Sequence, residues 1–162
     1  MTSIAQLILK NLKKNDRAEE QGSRDKRKEV ACLPSSSSPL SLSPSHLAAA
    51  CAIPVKYERL PFAFGRVVYL AEAFLQPPGI TVNLTAIEKI ITCATEIPDE
   101  YRGWFTAAAL SEIIIAHELY HILAQQPSNR MTEIHAHDFA QALTGLPFTP
   151  KVYEEILRQI TE

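Results

Sequence analysis

Trp104-Phe105-Thr106-Ala107-Ala108-Ala109-Leu110-Ser111-Glu112-Ile113-Ile114-Ile115-Ala116-His117-Glu118-Leu119-Tyr120-His121-Ile122-Leu123-Ala124-Gln125 contains neither Gly nor Pro. Phe105, Ala108, Ala109, Glu112, Ile115 and Ala116 recur at three- and four-residue intervals, which predicts a helix over residues 104–125. It is apolar nearly all round and therefore belongs in the centre of a domain. At its middle stands His117-Glu118-Leu119-Tyr120-His121, an H-E-x-x-H pattern. At about 100° per residue, four positions bring the two imidazoles one turn apart on the same face, where both reach one tetrahedral zinc ion. Glu118 follows the first histidine directly, so its carboxylate can approach a zinc-bound water and take its proton. Glu112 and Glu118 would be costly to bury in such a helix without partners, and an interior polar cluster is better explained by a metal.

A catalytic zinc needs a third protein ligand and one open position. The next segment offers Glu133-Ile134-His135-Ala136-His137-Asp138-Phe139-Ala140. His135 shares a helical face with Phe139, Ala142 and Leu146, whereas Glu133, His137 and Gln141 form a more polar one. That argument favours His135 as the third ligand, with Glu133 and His137 as alternatives. Tyr153, Tyr120 and His137 are available to polarise a substrate carbonyl, and Asp138 or Glu112 to orient a ligand imidazole. Trp104, Phe105 and Cys93 read as core residues.

The rest of the chain frames this helix. Ser45 is expected to cap a short helix through Ala52 before Pro54, and Val55-Lys56-Tyr57-Glu58 reads as a first strand. Arg66 to Phe74 reads as a second strand. Gln76-Pro77-Pro78-Gly79 must turn, and Ile80-Thr81-Val82-Asn83-Leu84 forms a third strand, closing a hairpin. A helix over 85–96 opens on Thr85 with Glu88 in a capping box. Residues 131–144 make another helix closed by Gly145, and Pro150 precedes a last one.

Ahead of this body, residues 2–14 suit a short amphipathic helix and 15–29 carry mixed charge. From Leu33 to His46, ten of fourteen residues are Ser or Pro, a linker composition. The division is a tail and linker over 1–44 and a folded domain over 45–162. Residues 1–30 hold eight basic and five acidic side chains, within a chain of net charge -2, so there is no overall basic excess of the kind nucleic acid selects. The three cysteines, Cys32, Cys51 and Cys93, show no thiolate metal spacing or disulfide framework, which suits a reducing cytoplasm. No membrane span or secretory signal is expected.

His117-Glu-Leu-Tyr-His121, a short loop, and then His135-Ala136-His137-Asp138-Phe139-Ala140 resemble the ImmA/IrrE-type zinc metallopeptidases, whose pattern is H-E-L-G-H, a loop and E-A-N/D-x-F-A. Ile80-Thr81-Val82-Asn83 is similar to that family's edge strand. The resemblance spans roughly residues 53–147. It departs at His135, where the family has Glu, and at Tyr120, where it has Gly. It implies a small zincin-like α+β domain: a short antiparallel sheet packed on the central H-E-x-x-H helix, followed by C-terminal helices. It further implies a cytoplasmic zinc-dependent peptidase, with Ile80, Thr81, Val82 and Asn83 binding an extended peptide or protein substrate, such as a transcriptional repressor. The alternative is a zinc-binding interaction protein of the same fold with little or no catalysis.

Overall fold

The computed structural model describes Gln6 and residues 43–65, 67–94, 97–126 and 128–161. Apart from Gln6, the amphipathic helix expected over 2–14 lies outside the described residues, as does most of the linker. The rest is a mixed α+β fold. Helix α1 spans Pro44–Ala50, followed by β1 (Val55–Glu58), β2 (Ala63–Phe64), β3 (Val67–Val68), β4 (Ala71–Leu75) and β5 (Pro78–Asn83). Helix α2 spans Leu84–Cys93, a 3₁₀ segment covers Asp99–Phe105, and α3 (Ala107–Ala124), α4 (Arg130–Thr144) and α5 (Lys151–Thr161) complete the domain.

Helix α3 begins three residues later than its periodicity predicts. Thr106 is its N-cap, accepting from the Ala109 amide at 3.2 Å, and the Trp104-Phe105 pair belongs to the preceding 3₁₀ turn. Its hydrophobic face is the whole circumference: Leu110, Ile113, Ile114, Ile115, Ala116 and Leu119 are all buried. By length and mean hydropathy alone this helix could cross a membrane. Here it is instead enclosed by α1, α4 and the sheet. Phe105, Phe148 and Tyr153 stack beside it with ring centroids 5.2–6.0 Å apart, joining α5 to the core.

The sheet differs from the expected one in order and direction. Its order is β1-β5-β4, with β1 parallel to β5 and β4 antiparallel to it. The β4–β5 hairpin forms as expected, but its turn is only Gln76-Pro77: Pro78 and Gly79 already belong to β5, opposite Leu75 and Phe74. The single strand expected over 66–74 is two strands, because the chain bends at Tyr69-Leu70: β3 pairs with β2 in a separate hairpin, and β4 pairs with β5. Strand β5 is therefore central, and Ile80, Thr81, Val82 and Asn83 are buried instead of standing at an edge. This corrects their assignment to peptide binding, since a strand paired on both sides has no backbone groups left for a substrate.

Asn83 has a structural task. Its Oδ1 accepts from the amides of Leu60 (3.2 Å) and Thr85 (3.0 Å), and its Nδ2 donates to the carbonyls of Pro61 (3.3 Å) and Tyr69 (3.0 Å). It caps α2 in place of Thr85, and Glu88 pairs with Arg59 through two short hydrogen bonds. Replacing Asn83 with Ala strands several of these backbone groups where water is excluded. The expected loss is about 3 kcal/mol of unfolding free energy, read from urea denaturation.

Helix α4 starts on a capping box of Asn129 and Thr132 and ends at Gly145, whose φ of +73° suits a residue without Cβ. Its inward residues are Thr132, Ala136 and Ala140, all buried. Small side chains let α4 approach α3 closely, and this approach sets the site.

Candidate metal centre

The H-E-x-x-H spacing does what helical geometry requires: His117 Nε2 and His121 Nε2 lie 3.4 Å apart. Because α4 packs through Thr132, Ala136 and Ala140, the next position round the helix, Glu133, faces the histidine pair. Its Oε2 is 3.2 Å from His117 Nε2 and its Oε1 3.3 Å from His121 Nε2. His135 is exposed and stands beside Tyr120, with ring centroids 6.2 Å apart, and does not join the cluster. The third donor therefore differs from the expected one by one helical face. Phe139 and Leu146 do pack against the core, but the buried residues of α4 are Thr132, Ala136 and Ala140, and that orientation turns Glu133 rather than His135 toward the pair.

The three separations test whether the cluster suits a metal. Donors about 2.05 Å from a tetrahedral zinc stand about 3.3 Å from one another; the two imidazole nitrogens are 3.4 Å apart, and each has one of the two Glu133 oxygens at 3.2 or 3.3 Å. The chemistry agrees: two imidazoles and a carboxylate are a competent ligand set. Ligand atoms of His117, Glu133 and His137 also lie within 4.8 Å of one another, and this His/Glu/His group can hold a metal ion. His117, His121 and Glu133 thus form one trio, and His137 shares His117 and Glu133 with it.

Hydrogen bonds from His117 and His121 hold the Glu133 carboxyl far below the usual carboxylate range, with burial opposing and Ser128 adding to the effect. Glu133 correspondingly raises His121, against desolvation. His121 Nδ1 is buried and makes no hydrogen bond of ordinary geometry, although the Gln126 backbone also acts on the ring. Ser128, in the loop between α3 and α4, donates a short hydrogen bond to Glu133 Oε1. Nothing in its sequence surroundings marks this serine. Ser128→Ala frees the carboxylate to rotate, and the expected consequence is about tenfold weaker metal binding in a chelator competition.

Glu118 lines the same cleft as the trio, a space of about 640 Å3. Burial pushes its carboxyl up, His117 and His121 pull it back, and Glu133 and Glu72 push it up again. The opposite wall includes Ala71, Glu72 and Ala73 of β4, none of which the sequence singles out. Leu70 O accepts from Asn83 N at 2.8 Å. In antiparallel alternation this turns the backbone groups of residues 70, 72 and 74 toward β5 and those of Ala71, Ala73 and Leu75 outward. Among the described residues strand β4 is paired on one side only, so these groups form a free edge along the cleft.

The remaining candidates separate clearly. Tyr153 is buried and its hydroxyl donates to the Trp104 carbonyl at 3.0 Å. Tyr120 packs against His121, His135 and Phe139 and is not part of the cleft lining. Glu112 accepts from the Ser45 amide at 2.9 Å and so fixes α1 rather than an imidazole. Asp138 is exposed. His137 lines the cleft, and its Nε2 lies 3.1 Å from Glu154 Oε1. Burial raises the Glu154 carboxyl, but His137 and Arg158 outweigh that and leave it lowered. No family model, curated protein or solved structure matches the chain.

Proposed function

We propose that this chain is a zinc-dependent metallopeptidase of zincin-like architecture, in which His117, His121 and Glu133 hold the ion and Glu118 is the general base. The observation that carries this reading is the pair of imidazole nitrogens 3.4 Å apart, each with a Glu133 carboxylate oxygen at 3.2–3.3 Å, and Glu118 beside them in an open cleft. Zinc, when bound, supplies the Lewis acidity that makes water nucleophilic at neutral pH. Glu118 takes the proton of the attacking water and passes it to the departing amine. Its partly desolvated carboxyl is suited to both duties, since a raised pKa makes it a better base and a ready donor. The peptide lies as an added strand on β4, bonded to the outward N–H and C=O groups of Ala71 and Ala73. Backbone recognition of this kind selects extended chains and leaves side-chain choice to the walls of the cleft.

The resemblance to ImmA/IrrE-type peptidases supports the same reading, and a Glu in the third position brings the donor set to the one that family implies. A cytoplasmic regulatory protein such as a repressor enters the proposal as substrate on that resemblance alone. The test is to purify the chain with zinc present, measure metal content, and follow new amino termini released from an unfolded protein. Stoichiometric zinc, with cleavage abolished by a chelator and restored by zinc, is expected. Zinc without cleavage would favour the interaction protein, and no bound metal would overturn both.

A further inference from the structure

His137 stands one helical turn beyond Glu133 on α4, and its ring centroid is 4.8 Å from that of His117. Its ligand atom lies within 4.8 Å of those of His117 and Glu133, the same two residues that meet His121, so an ion that collected all of these side chains would have four protein donors. Four protein ligands make a closed, structural zinc site, whereas hydrolysis needs three and a vacancy. Something must therefore restrain the fourth imidazole. Its Nε2 is engaged by Glu154 Oε1 at 3.1 Å, while Glu154 Oε2 receives Arg158 at 2.7 Å. Both restraining residues come from α5, a different helix from either one that supplies the trio.

We infer that Glu154, steadied by Arg158, is a positioning residue that holds His137 out of the coordination sphere and so keeps the fourth place open for the reaction. The inference rests on the proposed metal site. An imidazole is a strong zinc ligand, and only a short swing separates His137 from the spacing of the trio. Glu154 opposes that swing by accepting a directed hydrogen bond from the His137 ring on a carboxylate that Arg158, one helical turn away, itself fixes. Neither residue need touch substrate. Their effect is on which ligands the ion can collect.

Zinc affinity, measured by competition with a chromophoric chelator, separates this role from a structural one. Glu154→Ala releases His137 and is expected to bind zinc about tenfold more tightly than the parent while losing Glu118-dependent cleavage by a similar factor. Structural damage at the same place would loosen zinc instead. Adding His137→Ala to that variant is expected to return zinc affinity to the parent value. Glu154→Gln keeps an oxygen that accepts from Nε2–H, so its zinc affinity should stay near the parent's. Unchanged or weaker zinc binding in Glu154→Ala, or tightening that survives removal of His137, overturns the inference while leaving the peptidase reading intact. A parent protein without stoichiometric zinc overturns both.

Discussion

Glu118→Gln is expected to lower cleavage by about a thousandfold while zinc stays bound, because the amide preserves the shape of the side chain and removes its ability to take a proton. Loss of activity through misfolding can be distinguished in advance. The Glu118 carboxyl is raised in the folded chain chiefly by burial. Between its unfolded and folded pKa values the native state binds the extra proton, so native stability falls as pH rises through that window. A neutral Gln escapes this cost. The metal-free variant should therefore melt no lower than the parent at neutral pH. Zinc-loaded Glu118→Gln protein that retains more than about a tenth of parental cleavage would sink the general-base assignment.

Removing the third donor should have the next largest effect. Zinc bound by four protein ligands is worth roughly 10–16 kcal/mol, or about 3 kcal/mol for each, so Glu133→Ala is expected to weaken zinc binding by at least a factor of about a hundred. His135→Ala should leave it within about twofold, since that side chain is exposed and away from the pair. The two variants differ by two positions on one helix, and chelator competition on both decides between the faces. Strong zinc loss on removing His135, with Glu133 dispensable, would mean that α4 is rotated relative to the arrangement described.

The central helix and its paired histidines are legible in the sequence because both follow from a single period, 3.6 residues. Strand β1 and the β4–β5 turn are legible for similarly local reasons. The third donor is not, because it depends on which side of α4 meets α3. Counting bulky residues points to the face of His135, whereas close packing is achieved by Ala136 and Ala140. Strand order fails for the same kind of reason: Ile80–Asn83 has the composition of a good strand, but nothing local says that β1 will pair on its far side in parallel. Polar residues were the least predictable. Asn83 has the setting of a peptide contact but holds a crossover together, and Glu112 has the setting of a partner for an imidazole but holds a helix end. Glu154 and Arg158 showed only the ordinary i,i+4 charge spacing of a surface helix. Their place beside the cleft comes from how α5 returns across the fold.

The half-paired state of β4 has a consequence for the protein in concentrated solution. A strand that keeps its outward amides and carbonyls available to passing chains is equally available to another copy of itself, and such edges seed polymerisation unless something interrupts them. Glu72 is the second residue of this five-residue edge, between the outward-facing Ala71 and Ala73, exposed and held by the Tyr69 hydroxyl at 3.1 Å. Two β4 edges laid side by side bring two of these carboxylates to neighbouring positions, where like charges repel. A visiting peptide without an acid at that place meets no such barrier. The same short strand can thus welcome strangers and refuse its twin.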